Sequence, residues 1–232
     1  MGTLFVVATP IGNLEDITFR AVRTLAEVDL ITAEDTRQTK KLLIKYNLNT
    51  PMTAYHKFNI KAKTDYIVDL LSQGKNIALV SDSGTPTISD PGYELISGAV
   101  AQGHRVEVIP GPCAAITALV GSGLATDKFV FEGFLPKKPG KKNKRLTALK
   151  DEQGSVIIYE SPYRVVKTLN SIKEIFGERQ VAVCRELTKK FEEVIRGKLG
   201  EVLEKLKDRT IKGEIVVVVE GSEQATQRER RS

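Results

Sequence analysis

The chain has no tryptophan and only two methionines, two cysteines and two histidines. Cys113 and Cys184 cannot build a disulfide framework. Both lie among apolar residues, so buried thiols in a reducing cytoplasm are the expectation. His56 and His104 are far apart in sequence, and no transition-metal site is visible. No apolar run approaches the roughly 20 residues that span a bilayer. The start, MGTLFVVATPIGNLED, has no basic flank before its short apolar segment, so it reads as a first strand and not as a signal peptide. A cytoplasmic protein without a membrane partner is expected. Several active-site signatures are also missing. There is no G-x-x-x-x-G-K-[ST] to cradle phosphates, no G-x-G-x-x-G after the first strand, no G-x-S-x-G and no H-E-x-x-H. The usual kinase, dehydrogenase, hydrolase and metalloprotease readings therefore lack their anchors.

What is present is an ordinary globular composition, 41% hydrophobic and 28% charged, which excludes a disordered chain. The 232 residues suffice for one large domain or two small ones. Net charge is +6, unevenly spread. Residues 1–127 hold 11 lysines and arginines against 13 acids, whereas residues 128–232 hold 24 against 16. A basic second half invites a polyanion such as nucleic acid, although a basic pI by itself means no more than solubility.

The first half alternates apolar strands (TLFVVAT, LITAE, MTAYH, NIALVS, RVEVIP) with helical patterns. Asp16 is the expected cap of the first helix. Asp90 and Pro91 are expected to open the helix DPGYELISGAVAQG, and Gly74 to stop the one before it. This rhythm implies an α/β domain whose parallel sheet is covered on both faces. In the second half strands follow one another closely, as in QVAVCRE and FEEVIRGKL, which implies a mixed-sheet α/β domain. A helix capped by Ser161, with Pro162 in its first turn, runs through SPYRVVKTLNSIKEIF. The expected division is 1–115, 116–221 and a disordered polar tail, 222–232.

In open α/β sheets ligands bind beyond the carboxyl ends of the strands. Four such loops stand out: ATPIGNLED (8–16), AEDTRQT (33–39), SDSGTPTISDPG (81–92) and IPGPCAA (109–115). The third has small residues around Gly84, so a ligand can approach its backbone. Its acceptors are Asp82, Asp90 and carbonyls, and it holds no lysine or arginine. It should repel phosphate and suit a ligand with hydroxyls, an amino group and a positive centre. S-adenosylmethionine is one candidate among several. The plain alternative is a tight crossover turn with Asp90 as a helix cap.

The ordered set VATPIGNLEDIT, AEDTR, SDSGTPTISDPG, VIPGPCAAITAL, GFLP, YESPYR, CRELTKKFEE and KGEIVVVV resembles the tetrapyrrole methylase superfamily. Within it the set is similar to the ribosomal RNA small-subunit methyltransferases. The resemblance runs from about residue 4 to residue 219, nearly the whole chain. It implies a two-domain tetrapyrrole-methylase fold holding S-adenosylmethionine between the domains, and a homodimer. The implied reaction is 2′-O-methylation of a cytidine ribose in the decoding region of 16S ribosomal RNA, free or within the 30S subunit. Carried over by motif position, Pro10 and Ile11 line the floor of the cofactor site. Thr85, Ile88 and Ser89 meet the methionine and ribose, Ala114 and Ala115 close over the cofactor, and Leu135 and Tyr159 flank the adenine; Asp82 and Gly84 of the third loop are expected at the cofactor as well. For Ile88, Ala114 and Leu135, plain core packing is the alternative. Many members of the family continue past the last strand, and any substrate contact made by such an extension is expected to be absent here.

A ribose hydroxyl is a poor nucleophile, so a proton acceptor is sought among Glu34, Asp35, Asp82 and His56, with Glu34 or Asp35 preferred and Arg37 on a flanking phosphate. The alternative is an Asp35–Arg37 structural pair with Thr36 as the helix cap. The run KKPGKKNKR is expected to be a mobile loop gripping the RNA backbone through Lys137, Lys138, Lys141, Lys142, Lys144 and Arg145, or else a solvated surface loop. Arg164 joins this set beside Glu160, and Tyr163 could stack on a base. Arg185, Glu186 and Lys189 could bind RNA or equally form ion pairs between the domains. The rival readings are a relative acting on a tetrapyrrole or a protein side chain, and an RNA-binding module that has lost catalysis.

Overall fold

The computed structural model describes residues 1–56 and 60–222. They divide into two compact units, the first ending at Cys113 and the second beginning at Ala114. The first unit alternates β1 (Thr3–Val7), α1 (Phe19–Glu27), β2 (Leu30–Ala33), α2 (Thr36–Lys45), β3 (Met52–Ala54), α3 (Ile60–Ser72), β4 (Ile77–Val80), α4 (Tyr93–Ala101) and β5 (Arg105–Ile109). All five strands are parallel, in the order β3-β2-β4-β1-β5. Successive side chains point to opposite faces of a strand. Val7, Ile31, Ala78 and Val80 therefore pack with Leu25 of α1 and Leu42 and Leu43 of α2. Leu4, Ile77 and Leu79 pack with Ile67 and Leu71 of α3 and Leu95 of α4. Two cores, one on each face, explain why β4 is apolar at every position.

The strand order also places a ligand crevice. From β2 the chain runs outward to β3, and from β4 it runs the opposite way to β5. The loops leaving these adjacent strands diverge, and ligands bind where they do.

Local capping differs from expectation at α1 and α4. Thr18, not Asp16, caps α1, its hydroxyl accepting the Ala21 N–H at 3.0 Å. Asp16 instead ends a short 3₁₀ turn, Leu14–Asp16, capped by Asn13. α4 begins at Tyr93 behind Gly92 and has no side-chain cap, so Asp90 and Pro91 lie in the preceding loop. Gly92 sits at φ 134°, and a Cβ there would lie 2.8 Å from Leu79 Cδ2. Only glycine satisfies both conditions. Gly74 does follow α3, at φ 86°, with its N–H donating to Leu71 O at 3.0 Å.

The second unit comprises α5 (Ala114–Ser122), β6 (Phe129–Phe134), α6 (Pro139–Leu149), β7 (Ser155–Glu160), α7 (Val165–Phe176), β8 (Gln180–Arg185), β9 (Glu193–Lys198), α8 (Leu199–Leu206) and β10 (Ile215–Val219). Its sheet runs β6-β7-β10-β8-β9, parallel at β6–β7 and antiparallel elsewhere. α6, α7 and α8 bury Leu146, Leu169, Ile172 and Val202 against one face of this sheet. α5 packs on strands β7, β8 and β10 of the same unit, so the division falls just before Ala114 and not after Ala115. Arg164 occupies the cap position of α7, and Ser161 and Pro162 form a turn before it.

The run 137–145, expected as a loop, is mostly helical. Pro139 takes the first position of α6, where its missing N–H costs nothing, and Leu146 and Leu149 anchor the helix in the core. Of the expected tail, Ser222 is bonded, its N–H donating to Glu152 O at 2.7 Å. Residues 223–232 lie outside the described residues. Cys184 is buried, and burial pushes its thiol up to about 11, whereas Cys113 is half-buried.

Candidate functional site

The four singled-out loops of the first unit all follow its strands, and the third is bonded to each of the others. Thr9 and Gly84 exchange both backbone hydrogen bonds at 2.9 Å, joining the first loop to the third. The Asp35 N–H donates to Asp82 Oδ1 at 2.8 Å, closing the crevice between β2 and β4 and joining the second loop to the third. The Thr85 hydroxyl donates to Pro112 O at 3.1 Å, joining the third to the fourth. The loop 81–92 is thus the centre of a fixed constellation.

Its backbone is strained in a way that composition did not reveal. Thr87 and Ser89 lie at φ 75° and 67°, a region disfavoured for ordinary residues and most of all for β-branched threonine. Such strain persists where the surroundings over-determine it, commonly around ligands. Gly84, at φ 77°, would place a Cβ 3.3 Å from Ile11 Cγ2. Pro10, Ile11 and Pro86 are buried, while Asp82, Ile88 and Ser89 are exposed. The exposure of Ile88 removes the core-packing explanation for it. Thr9, part of the first loop but not named among the candidate site residues, both bridges to Gly84 and donates its hydroxyl to Ser81 O at 3.4 Å. Its only sequence signal is a small polar residue directly after an apolar strand.

The electrostatics separate the carboxylates. Asp35 caps α2, accepting the Arg37 N–H at 2.9 Å, and binds the Arg37 guanidinium at 2.7 Å. These bonds from Arg37 bring its carboxyl down to about 2. So low a value makes Asp35 a weak proton acceptor. The cap expected at Thr36 is Asp35 itself. Arg37 is well exposed and is the sole cation in the four loops, its charge offset by this pair. Although the Asp82 residue is exposed overall, partial desolvation of its carboxyl raises the pKa, with the neighbouring Asp35 charge acting in the same direction. Glu34 is half-buried beside them. The surface has no unmatched positive charge to attract phosphate, and its polar groups are hydroxyls, carbonyls and carboxylates. Such a donor set fits a cationic ligand that also carries hydroxyl and amino groups.

In the second unit, Tyr159 on β7 accepts the Ala115 N–H at 3.1 Å, fixing the first turn of α5. Its ring packs edge-on against Phe131 and Phe134, with centroids 4.9 and 5.6 Å away. Ala114 is half-buried and Ala115 buried. Leu135 is buried within the core cluster, which accounts for its apolar side chain without a ligand.

The basic residues divide into engaged and open groups. Arg145 pairs through two bonds with Glu132, at 2.5 and 2.6 Å. Arg164 pairs with the buried Glu160 at 2.5 Å. Lys142 donates to Lys167 O, and burial lowers its pKa. Arg185 pairs with Glu193, and Lys189 with Glu186 and Glu214, all within the second unit and not between units. Among the described residues Lys137, Lys138, Lys141 and Lys144 are exposed and make no ion pair. They sit around the N-terminal half of α6, whose first turn has no acid. Four lysines at the positive end of a helix make a strongly electropositive surface.

Comparison with known proteins places these features in a family. The profile for tetrapyrrole (corrin/porphyrin) methylases matches residues 3–203. The chain is 51% identical over 221 residues to ribosomal RNA small subunit methyltransferase I of Halalkalibacterium halodurans, covering 95% of this chain and 76% of that protein. It is 47% identical over 224 residues to the protein of that name from Thermotoga maritima, covering 96% and 100%. Uroporphyrin-III C-methyl transferase from Thermus thermophilus, complexed with S-adenyl homocysteine, superposes with a TM-score of 0.67 at 15% identity, covering 97% of this chain and all of that one. A diphthine synthase superposes with a TM-score of 0.70 at 13% identity, covering 94% and 90%. These two structures share the fold alone, whereas both bacterial sequences match nearly all of this chain. The chain belongs to the tetrapyrrole methylase family, in the group of ribosomal RNA small subunit methyltransferase I proteins.

Proposed function

We propose that the protein uses S-adenosylmethionine to methylate the 2′-hydroxyl of a cytidine ribose in the decoding region of 16S ribosomal RNA. The observation that carries this reading is the loop 81–92, bonded to the three neighbouring strand-end loops and free of cations. Its composition suits a sulfonium, and the similarity to small-subunit rRNA methyltransferases supports RNA as the acceptor. Pro10, Ile11, Gly84, Thr85, Ile88 and Ser89 are proposed to hold the cofactor from the first unit, and the resemblance assigns Ala114, Ala115, Leu135 and Tyr159 to the same ligand. When bound, S-adenosylmethionine supplies an electrophilic methyl group.

The protein's own task is then mainly to orient the ribose oxygen, which is worth on the order of 7–11 kcal/mol in well-aligned systems. A proton acceptor adds about 10²–10⁴-fold. Glu34 and Asp82 are the better candidates, because Arg37 already stabilises the Asp35 carboxylate. Asp82 Oδ1 is occupied by the Asp35 N–H, which leaves Oδ2 to take the proton. The proposal includes a homodimer acting in the cytoplasm. No helix of the described residues is long and apolar enough to cross a membrane.

The direct test supplies S-adenosylmethionine with a labelled methyl group to undermethylated 30S subunits and to free 16S RNA. Nuclease digestion should recover the label as 2′-O-methylcytidine. Label on a tetrapyrrole, or RNA binding with no transfer, would sink the proposal in favour of one of the rivals. The RNA grip has its own signature. Replacing Lys137, Lys138, Lys141 and Lys144 together by alanine should make the slope of log affinity against log salt shallower by roughly 3, about 0.7 per lost phosphate contact on a single strand. Titrations at several ionic strengths measure it, and an unchanged slope would remove α6 from the RNA surface.

A further inference from the structure

One end of the second unit's sheet gathers the ends of β6, β7 and β8 with the starts of β9 and β10. Ile215 pairs with Glu160 on one side and with Arg185 on the other, and Arg185 pairs with Glu193. These residues form a row, and the loops beyond it share one rim. The loops of that rim carry two large exposed aromatic side chains. Tyr163, after β7, is 89% exposed, and Phe191, between β8 and β9, is 64% exposed. Neither belongs to a core cluster, so neither ring is held by the packing of the fold.

Both rings are carried by rigid supports. The Tyr163 turn is held by its own N–H donating to the Ser161 hydroxyl at 3.3 Å, and by the Ser161 N–H donating to buried Glu160 at 2.7 Å. The Phe191 loop is held in an unusual shape, with Glu186 and Thr188 at φ 52° and 65°. The Thr188 N–H donates to Glu192, and Lys189 bridges Glu186 and Glu214. Cations lie beside the rings. The Lys190 ammonium is 5.7 Å from the Phe191 ring centre, Lys212 is exposed near the end of the loop that leads into β10, and Lys137 and Lys138 follow β6. A cavity of about 170 Å³ on the same rim is lined in part by Arg185 and Arg209. Both guanidiniums are already paired with Glu193, so phosphate attraction falls to the lysines.

Fixed, exposed rings flanked by lysines match the chemistry of unpaired nucleotides, whose bases stack on aromatic faces while their phosphates meet cations. A duplex offers no exposed base faces to such rings. We infer that this rim is a platform for single-stranded RNA, on which Tyr163 and Phe191 each stack an unpaired base of the substrate. The inference rests on the reading of the protein as an RNA methyltransferase and adds the conformation of its substrate: unpaired at the points of contact.

The test compares wild type with Tyr163→Ala, Phe191→Ala, Tyr163→Leu and Phe191→Leu, and with the aromatic swaps Tyr163→Phe and Phe191→Tyr. Because both residues are exposed, the variants should fold. Fluorescence anisotropy follows a labelled single-stranded oligoribonucleotide, a duplex of equal length and intact 30S subunits, while calorimetry follows S-adenosylmethionine. Each alanine or leucine change should weaken single-strand binding about ten-fold. The aromatic swaps should keep it, and the salt slope and cofactor affinity should not change. Wild-type affinity in the alanine variants overturns the platform. So does loss confined to 30S subunits, which would assign the rings to a protein contact. If wild type binds S-adenosylmethionine but no RNA, the underlying functional reading fails, and the platform with it.

Discussion

Arginine in place of Thr85 is expected to abolish S-adenosylmethionine binding, by about 100-fold or more, without unfolding the protein. Thr85 lies in the one loop bonded to its three neighbours, and its hydroxyl ties that loop to Pro112 at 3.1 Å. The substitution breaks this tie and fills half-buried space with a long side chain. It also sets a guanidinium where a cationic sulfonium is proposed to lie, in a group of loops whose one cation is already paired. Like charges at close range in a partly shielded site cost several kcal/mol, and 100-fold corresponds to about 2.7 kcal/mol. Thr85→Ser, which keeps the hydroxyl and the space, should bind nearly as wild type. Calorimetric titration of the three proteins decides. Unchanged affinity in the arginine variant would move the cofactor away from this loop.

Glu160→Ala is expected to destabilise the second unit strongly. The Glu160 side chain is 1% exposed and has three partners: the Ser161 N–H and the Thr168 hydroxyl, both at 2.7 Å, and the Arg164 guanidinium at 2.5 Å. Removing one member of a buried pair costs about 3–5 kcal/mol, because the other charge loses its compensation. Arg164 keeps 28% of its side chain in water, which puts the expected loss at the lower end, about 3 kcal/mol. At roughly 3–4 °C per kcal/mol this lowers Tm by about 10 °C. The same change frees the turn that carries Tyr163, so RNA affinity should fall as well. Thermal unfolding by circular dichroism measures the first effect, and a Tm within about 2 °C of wild type would show that the pair is not structural.

The two predictions draw on different amounts of sequence information. Thr85 stands out in the sequence alone, because a loop of small residues, glycine and aspartates after an all-apolar strand has few other uses. Glu160 could be paired with Arg164 from their spacing, but nothing in YESPYR says that the glutamate is buried. Burial depends on Thr168 of α7 and on strands β7 and β10 closing around it, and those contacts come from distant parts of the chain. The basic run 137–145 shows the opposite error. Its proline and glycine suggested a loop, but proline suits the first turn of a helix, and Leu146 and Leu149 supply the burial that holds one in place. Helix formation then divided the cations, taking Arg145 to Glu132 and leaving four lysines open.

By itself the sequence determined the alternation of strands and helices, the parallel and mixed character of the two sheets, the four loops that follow the first unit's strands, and the family. These are local or ordered features: hydrophobic period, turn residues and motifs met in sequence. Only the tertiary structure decided that Asp35 caps a helix, pairs with Arg37 and is held near 2, while partial desolvation raises Asp82. It alone showed that Thr9, Asp82 and Thr85 link the loops and that the loops of one rim carry Tyr163 and Phe191. Each of these facts depends on which groups share a dielectric environment or a hydrogen bond, and that is fixed by strand order and register, not by neighbours in the chain.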